Sequence, residues 1–449
     1  MSGSIGKKAV VIGAGMAGLV AAKALSAHFE HVSILERDAL PVTPAHRPGT
    51  PQAQHPHGLL AGGLRALDEL FPEFEKDLER AGAVRVRMGL ARSELPGYDP
   101  FPQRDLGWDV MSMSRPLTEY VTRRRVERQD NIALVSSCRV TKLVASPDKT
   151  GVAAIHYENV EGRKETLAAD LVADASGRGV PTLTFLDTCG YAKPQETEIC
   201  IDKAYATAVF EFPEDLAPDW KAVLHSPTAP ASSRGAVVMA LEQGLWMVTL
   251  SGMHGDSPPG DIDGFLQFAK SLRTSTVHDA IKRARRVGEI VRFLLPASVR
   301  RHFEQLARFP RGLITIGDAI CRFNPVFGQG MSVAAQEAVV LNRLLDARTG
   351  SSDPLDGLAQ EYFGAIQGIL ASPWAVAESD FVYPETRGRR PPDLEQRMKY
   401  LSALTKLAAE DALVHKLLMQ VRHLLQPQSA LLDQPIRSRV VEIMAASVK

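Results

Sequence analysis

Gly13, Gly15 and Gly18 stand in the run Ala9-Val10-Val11-Ile12-Gly13-Ala14-Gly15-Met16-Ala17-Gly18-Leu19-Val20, where an apolar strand meets a G-x-G-x-x-G turn and a helix. In such a setting the first glycine permits a tight turn and the second lets a pyrophosphate reach the backbone. The third lets the helix pack against the strand. The N–H groups and positive dipole end of the helix, starting at Met16 and Ala17, then face the phosphates. A second apolar run, His31 to Leu35, ends in Glu36, eighteen residues beyond Gly18, where a carboxylate suits two ribose hydroxyls. Strand, glycines, helix, strand and acid in this order predict dinucleotide binding.

Far downstream the run Leu313 to Ile316 ends in Gly317-Asp318-Ala319. Asn324-Pro325-Val326-Phe327-Gly328-Gln329-Gly330-Met331 then opens a helical pattern from Ser332 to Leu345. A carboxylate at a strand end can accept hydrogen bonds from a polyol chain, and the helix N-terminus behind it suits an anion. Other chemistries find less support. Ser176 lies in Asp174-Ala175-Ser176-Gly177, which lacks the G-x-S-x-G elbow of a serine hydrolase. His55 and His57 sit in a Pro-, Gly- and His-rich loop, 41–57, but no spacing supplies a third ligand, so no metal is expected. Cys138, Cys189, Cys200 and Cys321 are scattered without C-x-x-C spacing, which fits a reducing compartment.

The elements that must position these residues fall into alternating blocks. Helical patterns cover Leu59 to Leu70, Glu73 to Ala81 and Arg115 to Arg128; strand-like stretches cover Ile132 to Val135 and Val140 to Val144. A hairpin, Val152 to Asn159 with Lys164 to Leu167, precedes the buried run Ala169 to Asp174 and its glycine turn through Gly179. The middle, about residues 190 to 300, reads as strands, among them Ala204 to Phe212, Gly235 to Leu241 and Leu245 to Leu250. From about residue 350 the pattern is helical, including Leu394 to Leu425. With 449 residues, 45% hydrophobic, the chain can bury a large core in more than one domain. Lys+Arg and Asp+Glu balance at 52 each, so no bulk field recruits nucleic acid or an anionic membrane. No apolar run reaches the roughly 18 residues of a membrane span. Lys7 and Lys8 before an apolar run imitate a signal peptide, but the glycines interrupt that run and Glu36 completes a nucleotide unit, so a cytoplasmic protein is expected.

With G-D-A, a short gap and N-P-x-x-G-Q-G-M in place, the chain resembles the FAD-dependent aromatic hydroxylase superfamily, over about residues 8 to 395. The resemblance implies an α/β fold with an α+β insertion. A Rossmann-like FAD-binding domain (1–90, 131–190, 301–350) is interleaved with an excursion carrying a flavin-contacting helix (91–130) and an antiparallel-sheet substrate domain (191–300). A helical C-terminal region (351–449) follows. It implies that Gly13, Gly15, Met16, Ala17 and Gly18 meet the pyrophosphate, Glu36 the ribose, and Arg37 the adenine side. Ser114-Arg115-Pro116-Leu117 resembles the superfamily's flavin-contacting arginine segment, and Asp174 with Gly177 stands at its second glycine signature. Asp318 would hold ribityl or phosphate oxygens, and the backbone of Gly330 and Met331 would face the flavin N1 and C2 oxygen. Val140, Gly317, Pro325 and Gly328 complete the implied cofactor set. Arg47 is expected as a phosphate or ring contact.

Asp174 is followed by Ala-Ser-Gly where the hydroxylases carry Asp-Gly. That run, the loop Arg47 to Gln52 with His55 and His57, and the stretch from Pro373-Trp374 through Gly388 resemble bacterial flavin epoxidases and monooxygenases of polyketide, polyether and terpenoid biosynthesis. The resemblance implies a monooxygenase that inserts one atom of O2 into a small lipophilic natural product through a flavin C4a-(hydro)peroxide, by epoxidation or hydroxylation. Its reductant would be NAD(P)H, acting directly or through a separate flavin reductase. Arg123, Arg124 and Arg125 read either as the solvated face of a helix or as a nicotinamide phosphate contact. Met239 and Trp246 with Phe327 are expected to form an apolar ceiling over the flavin, against the alternative of ordinary core packing. The C-terminal helices read as a lid, a dimer surface or sheet cover. An isoprenoid double-bond reductase, a halogenase and a non-enzymatic flavin redox sensor are the competing functions, and the halogenase W-x-W-x-I-P segment is missing.

Overall fold

The computed structural model describes residues 4–216 and 218–446. Gly6–Ile12 is apolar where it is buried and pairs in parallel with Phe29–Leu35 on one side and Leu171–Asp174 on the other. Ile132–Val135 and Leu313–Thr315 complete a five-stranded parallel sheet. The helices Met16–Ser26 and Gly330–Ala347 pack together against it, burying Leu19, Val20, Leu25, Val333 and Leu341. Strands from residues 6–35, 132–174 and 313–315 thus meet in one sheet. Beside it Arg139–Ala145, Val152–Glu158 and Lys164–Ala168 form a three-stranded antiparallel sheet containing the anticipated hairpin.

The second layer is an eight-stranded sheet. Its centre is the long pair Glu196–Glu211 and Arg285–Arg301, extended by Leu245–Gly252, Gly235–Ala240 and Ala222–His225. Arg92–Glu94, Cys321–Arg322 and Arg387–Gly388 join from outside residues 191–300, so the excursion and the C-terminal region are stitched into this sheet. Two helices within the middle, Ile262–Lys270 and Thr276–Ile281, depart from the all-strand reading. They cover one face, where Phe265, Phe268, Val277 and Ile281 bury against Phe210, Val238 and Val248. Asp261 caps the first of them by accepting the Gly264 N–H at 2.8 Å.

The pattern Leu394 to Leu425 is two helices, Leu394–Glu410 and Ala412–Arg422, rather than one. Asp411 breaks it: the backbone there is extended, and its side chain accepts the Leu413 and Val414 N–H groups. With Gln434–Ala446 these helices form a cluster of their own around Leu404, Leu407, Leu418 and Val440, closed by Phe101 from the excursion. No described helix is long and apolar enough to cross a membrane.

Glu94 ties the excursion to the sheet. It is fully buried, accepts from Arg92, Thr274 and Thr276, and lies 2.8 Å from the His225 ring. Burial alone would raise its pKa, but these hydrogen bonds outweigh burial and hold it at about 2. A folded-state value below the unfolded value of about 4.3 makes the group stabilising above that pH, by about 3 kcal/mol, and the contribution fades as pH falls toward 2. Glu94→Gln should therefore cost about that much in urea unfolding at pH 7 and show a smaller loss between pH 5 and 2 than the parent. Parallel pH profiles for the two proteins would refute this account.

Candidate functional site

The glycine turn behaves as its spacing requires. Gly13 takes φ +98°, and its N–H donates to the Leu35 carbonyl at 2.8 Å. A Cβ at Gly18 would lie 1.8 Å from the Gly13 carbonyl oxygen, so only glycine lets the helix come this close. A Cβ at Gly15 would meet nothing within 4 Å. Gly15 starts the helix without a side-chain cap, so the first N–H groups, at Met16 and Ala17, open onto free space. Ala17 in turn limits Gly317, where an added Cβ would approach the Ala17 Cβ to 2.6 Å and φ is +69°. The two glycine motifs, remote in sequence, are thereby in contact.

Glu36 is buried and holds this turn from below: one oxygen accepts the Ala14 N–H at 2.7 Å and the other the Asp38 N–H at 2.9 Å. Arg37 projects from the rim, exposed. Val140 is half-buried in a strand that begins beside Glu36, because the Cys138 N–H donates to the Glu36 carbonyl at 2.9 Å. Arg47 was expected at a phosphate or the ring; the structure instead places it among three carboxylates, Glu119 at 2.7 Å, Asp38 at 2.8 Å and Glu36 at 3.4 Å. Burial opposes its charge, and the Glu119 hydrogen bond and the three carboxylates outweigh burial to raise its pKa. The reason is local: the folded 41–57 loop turns this side chain inward onto acids of the nucleotide unit.

Arg115 is different. It opens the helix Arg115–Val126, which Ser114 caps through the Leu117 N–H, and pairs by one arm with Glu119 at 3.1 Å. Its Nη1 is buried with no hydrogen-bond partner among the described residues. Asp318, half-buried, accepts no hydrogen bond from any described residue. Burial raises its pKa against the pull of Arg322 and Arg115. Gly330 lies beside it, a Cβ there falling 3.7 Å from the Asp318 Oδ1. Behind the turn, the Gly317 N–H donates to buried Glu337 at 2.7 Å, and burial pushes that carboxyl up to about 8. A free donor, a free acceptor and an uncapped helix N-terminus thus line one groove, the set a dinucleotide needs.

Asp174 does not add to that set. Both its oxygens are engaged, one by the Ser176 N–H at 3.0 Å and the other by the Thr182 N–H and hydroxyl, so it fixes the turn through Gly177. The arginines of the 123–125 run are also engaged. Arg123 donates to the Pro41 carbonyl, Arg124 pairs with Glu127 at 2.6 Å, and Arg125 pairs with Asp77 at 3.2 Å.

The stretch between Asp318 and Gly330 borders a cavity of about 580 Å³. Pro325, Phe327 and Gly328 form part of its wall; Gly328, at φ +65°, leaves room for the Gly58 backbone, to which an added Cβ would come within 3.2 Å. Asn324 holds that turn, accepting the Val326 N–H and the Tyr205 hydroxyl and donating to Asp380 at 3.2 Å. Met331 is buried at the start of the helix behind it. His55 reaches the cavity with Nδ1 against the Thr207 hydroxyl at 2.7 Å and Nε2 unpartnered. Burial lowers both His55 and His57 to about 4, so both imidazoles are neutral at pH 7. His57 bonds the His55 carbonyl at 2.9 Å.

Met239 and Phe327 line the cavity as expected of a ceiling, and Trp246 does not. Met239 pairs with Met247 across the sheet, so Trp246, one residue earlier, points to the opposite face. There it stacks on Phe212 at 4.6 Å and meets Trp220 edge-on. The residues missed by sequence reasoning come from the C-terminal helices: Leu401, Thr405, His415, Leu418 and Arg422 close the cavity. Their apolar spacing signalled a helix face but not what it covers.

Residues 11–61 match the NAD(P)-binding Rossmann-like domain family. Over 380 residues the chain is 33% identical to Protein Rv3254 of Mycobacterium tuberculosis (strain ATCC 25618 / H37Rv), spanning 78% of this chain and 76% of that protein. The structure is similar to that of the flavin-dependent brominase Bmp2, with a TM-score of 0.66 and 14% identity over 93% of this chain and 94% of that one. It is also similar to p-nitrophenol 4-monooxygenase PnpA from Pseudomonas putida DLL-E4, with a TM-score of 0.65 and 18% identity over 94% and 99%. At these identities the two likenesses establish the fold. Two substitutions separate packing from ligand room in the glycine turn. Gly18→Ala should lower the melting temperature by ten degrees or more, or prevent folding, whereas Gly15→Ala should melt within about two degrees of the parent yet bind ADP at least tenfold more weakly. Equal melting losses in both would contradict the assignment.

Proposed function

The chain belongs to the family of the mycobacterial Protein Rv3254, and we propose that it is an FAD-dependent monooxygenase acting on an apolar natural-product substrate by epoxidation or hydroxylation. One observation carries this reading: the turn from Pro325 to Gln329, which runs into Gly330 beside Asp318, walls the mostly apolar cavity. A cofactor laid along the groove would have its reactive end facing a guest in the cavity. Bound FAD supplies the electrons and the activation of O2.

The chain's own residues bind, orient and exclude water. We assign the pyrophosphate to the N-terminus at Met16 and Ala17, the ribose to Glu36, and the ribityl hydroxyls to Asp318. Arg115 presents its free N–H to the cofactor, held in place by Glu119, whose other partner Arg47 keeps that carboxylate from swinging away. Burial raises the Glu119 pKa, and Arg115 and Arg47 lower it further than burial raises it, so it stays ionised as their anchor. The Gly330 and Met331 backbone opens the helix Gly330–Ala347 with no side-chain cap from Gln329, leaving N–H groups for an electron-rich ring edge. Gly13, Gly317 and Gly328 shape the turns, while Arg37, Val140, Gly177 and Pro325 border the groove. The helices Leu394–Glu410 and Ala412–Arg422 supply one wall of the cavity and narrow the access of water to it.

The brominase likeness raises a halogenase reading. Among the described residues the cavity lining contains no lysine, the group a flavin halogenase uses to deliver oxidised halide, so oxygen transfer is better supported. The test combines binding and labelling. FAD should copurify, and Arg115→Gln should weaken FAD binding at least tenfold by flavin fluorescence while leaving the fold intact by circular dichroism. With reduced FAD and 18O2, mass spectrometry should find one labelled oxygen in the product from a panel of polyketide and terpenoid substrates. A halide-dependent product without label, or anaerobic saturation of a double bond, would overturn the assignment. Stopped-flow reduction by NADH and NADPH beside dithionite tells direct reduction from a separate flavin reductase.

A further inference from the structure

Arg422 is the only charged side chain among the described residues that line the cavity; every other polar liner is a hydroxyl, an amide or an imidazole. It ends the helix Ala412–Arg422, is exposed within the cavity, and makes no hydrogen bond or ion pair with any described residue. The surrounding wall is apolar, with Leu401, Leu418, Met419 and Leu431 from the same helical cluster and Met239 from the sheet. The ionisable groups near it offer no compensation. His415 and His423 are held neutral, each lowered to about 4 by burial first and then by arginine, and His415 also faces Arg104. Burial lowers the pKa of Arg422, and no carboxylate opposes that effect. The apolar side chains around it offer the guanidinium no partner, and the helix C-terminus returns only about 0.3–1 kcal/mol. Elsewhere in this chain buried arginines are paired, as Arg47 is with three acids.

We infer that Arg422 is the recognition point for an acid group on the substrate, so that the guest is a lipophilic monoanion, most simply a long-chain or polycyclic carboxylic acid. The inference rests on the oxygenase reading of the cavity and names its substrate class. One guanidinium neutralises one charge, and its planar fork matches a carboxylate through two parallel N–H···O bonds. A phosphate monoester would bring a second charge that nothing in the lining balances. The apolar remainder of the molecule fits the leucine and methionine walls, which orient nothing by themselves.

The FAD-loaded protein is titrated with dodecanoate, methyl dodecanoate, dodecanol and dodecyl phosphate, and binding is read by calorimetry and by the perturbed flavin spectrum. Dodecanoate should bind at least tenfold more tightly than the ester or the alcohol and more tightly than the phosphate. Arg422→Gln should erase that preference while leaving ester binding within about twofold, and Arg422→Lys should retain part of it. Arg422→Leu should melt within about two degrees of the parent, because the side chain holds no other described residue in place. Equal affinity for acid and ester, tighter binding of dodecyl phosphate, or a large drop in melting temperature for Arg422→Leu would each overturn the inference. Dodecanoate binding that depends on Arg422 in a protein that transfers no labelled oxygen would leave the acid site standing and refute the oxygenase reading alone.

Discussion

Close approach of the helix Met16–Ser26 to two glycines is the constraint on which the rest depends. Gly18 brings the helix onto the strand below it, and Gly317 lets the Ala17 methyl sit against the second motif. Each contact lies inside the distance that a Cβ would need, so the parallel sheet can place Leu171–Asp174 and Leu313–Thr315 beside Gly6–Ile12 only with glycine at both points. Once that is fixed, Asp318 and Gly330 must face the same groove as Gly15. The helix Gly330–Ala347, which starts there, then supplies the second wall of the core through Val333 and Leu341.

Charge is distributed over this frame in two ways, and the difference separates support from recognition. Arg47, Arg123 and Arg125 are buried or half-buried and engaged by protein acceptors, and the carboxylates Glu94, Glu119 and Asp174 are engaged by protein donors. Such groups are costly to strip of a partner, about 3–5 kcal/mol for a buried pair, and they hold loops and turns in place. Arg115 keeps one arm free, Asp318 keeps its carboxylate free, and Arg422 has no partner among the described residues. A fold that satisfies the first group so fully and leaves the second open has placed its unsatisfied polar atoms along the groove and in the cavity.

Local sequence carried the parts of this arrangement that depend on short-range geometry. The glycine spacing, the alternation in Gly235–Ala240 and Leu245–Gly252, and the strand ending at Gly317 all express a backbone requirement within a few residues. Trp246 shows the limit of such reading: alternation revealed a two-faced strand, but which face met the cavity depended on the helices Ile262–Lys270 and Thr276–Ile281 occupying the other. The break at Asp411 was hidden because leucine spacing continues through it, although the capping carboxylate is a local signal. Arg47 and Arg422 are the harder cases. Both are long cations in polar or mixed sequence; the partners of one and the isolation of the other are set by segments distant in the chain.

The cavity's own polarity carries the last step. Its sheet floor has hydroxyls at Ser112, Thr249 and Ser251, yet these are engaged within the protein: Ser112 donates to the Ala240 carbonyl, Thr249 shares a hydrogen bond with Thr207, and Ser251 donates to the Gly235 carbonyl. The floor therefore offers a guest area and shape but little directional attraction. Directional capacity remains at His55 Nε2, in the loop that meets the Gly328 turn through Gly58, at the buried and unpartnered Gln329 Oε1, and at Arg422 in the helical wall. The imidazole is neutral and donates or accepts one hydrogen bond, while the guanidinium offers a fork of charged donors. Orientation in such a chamber is set chiefly by the charged group among them, because a charge-assisted bond is roughly twice as strong as a neutral one. The C-terminal helices are then more than cover for a sheet, since the element that walls the chamber opposite the sheet also carries the group that selects which end of the guest lies against it.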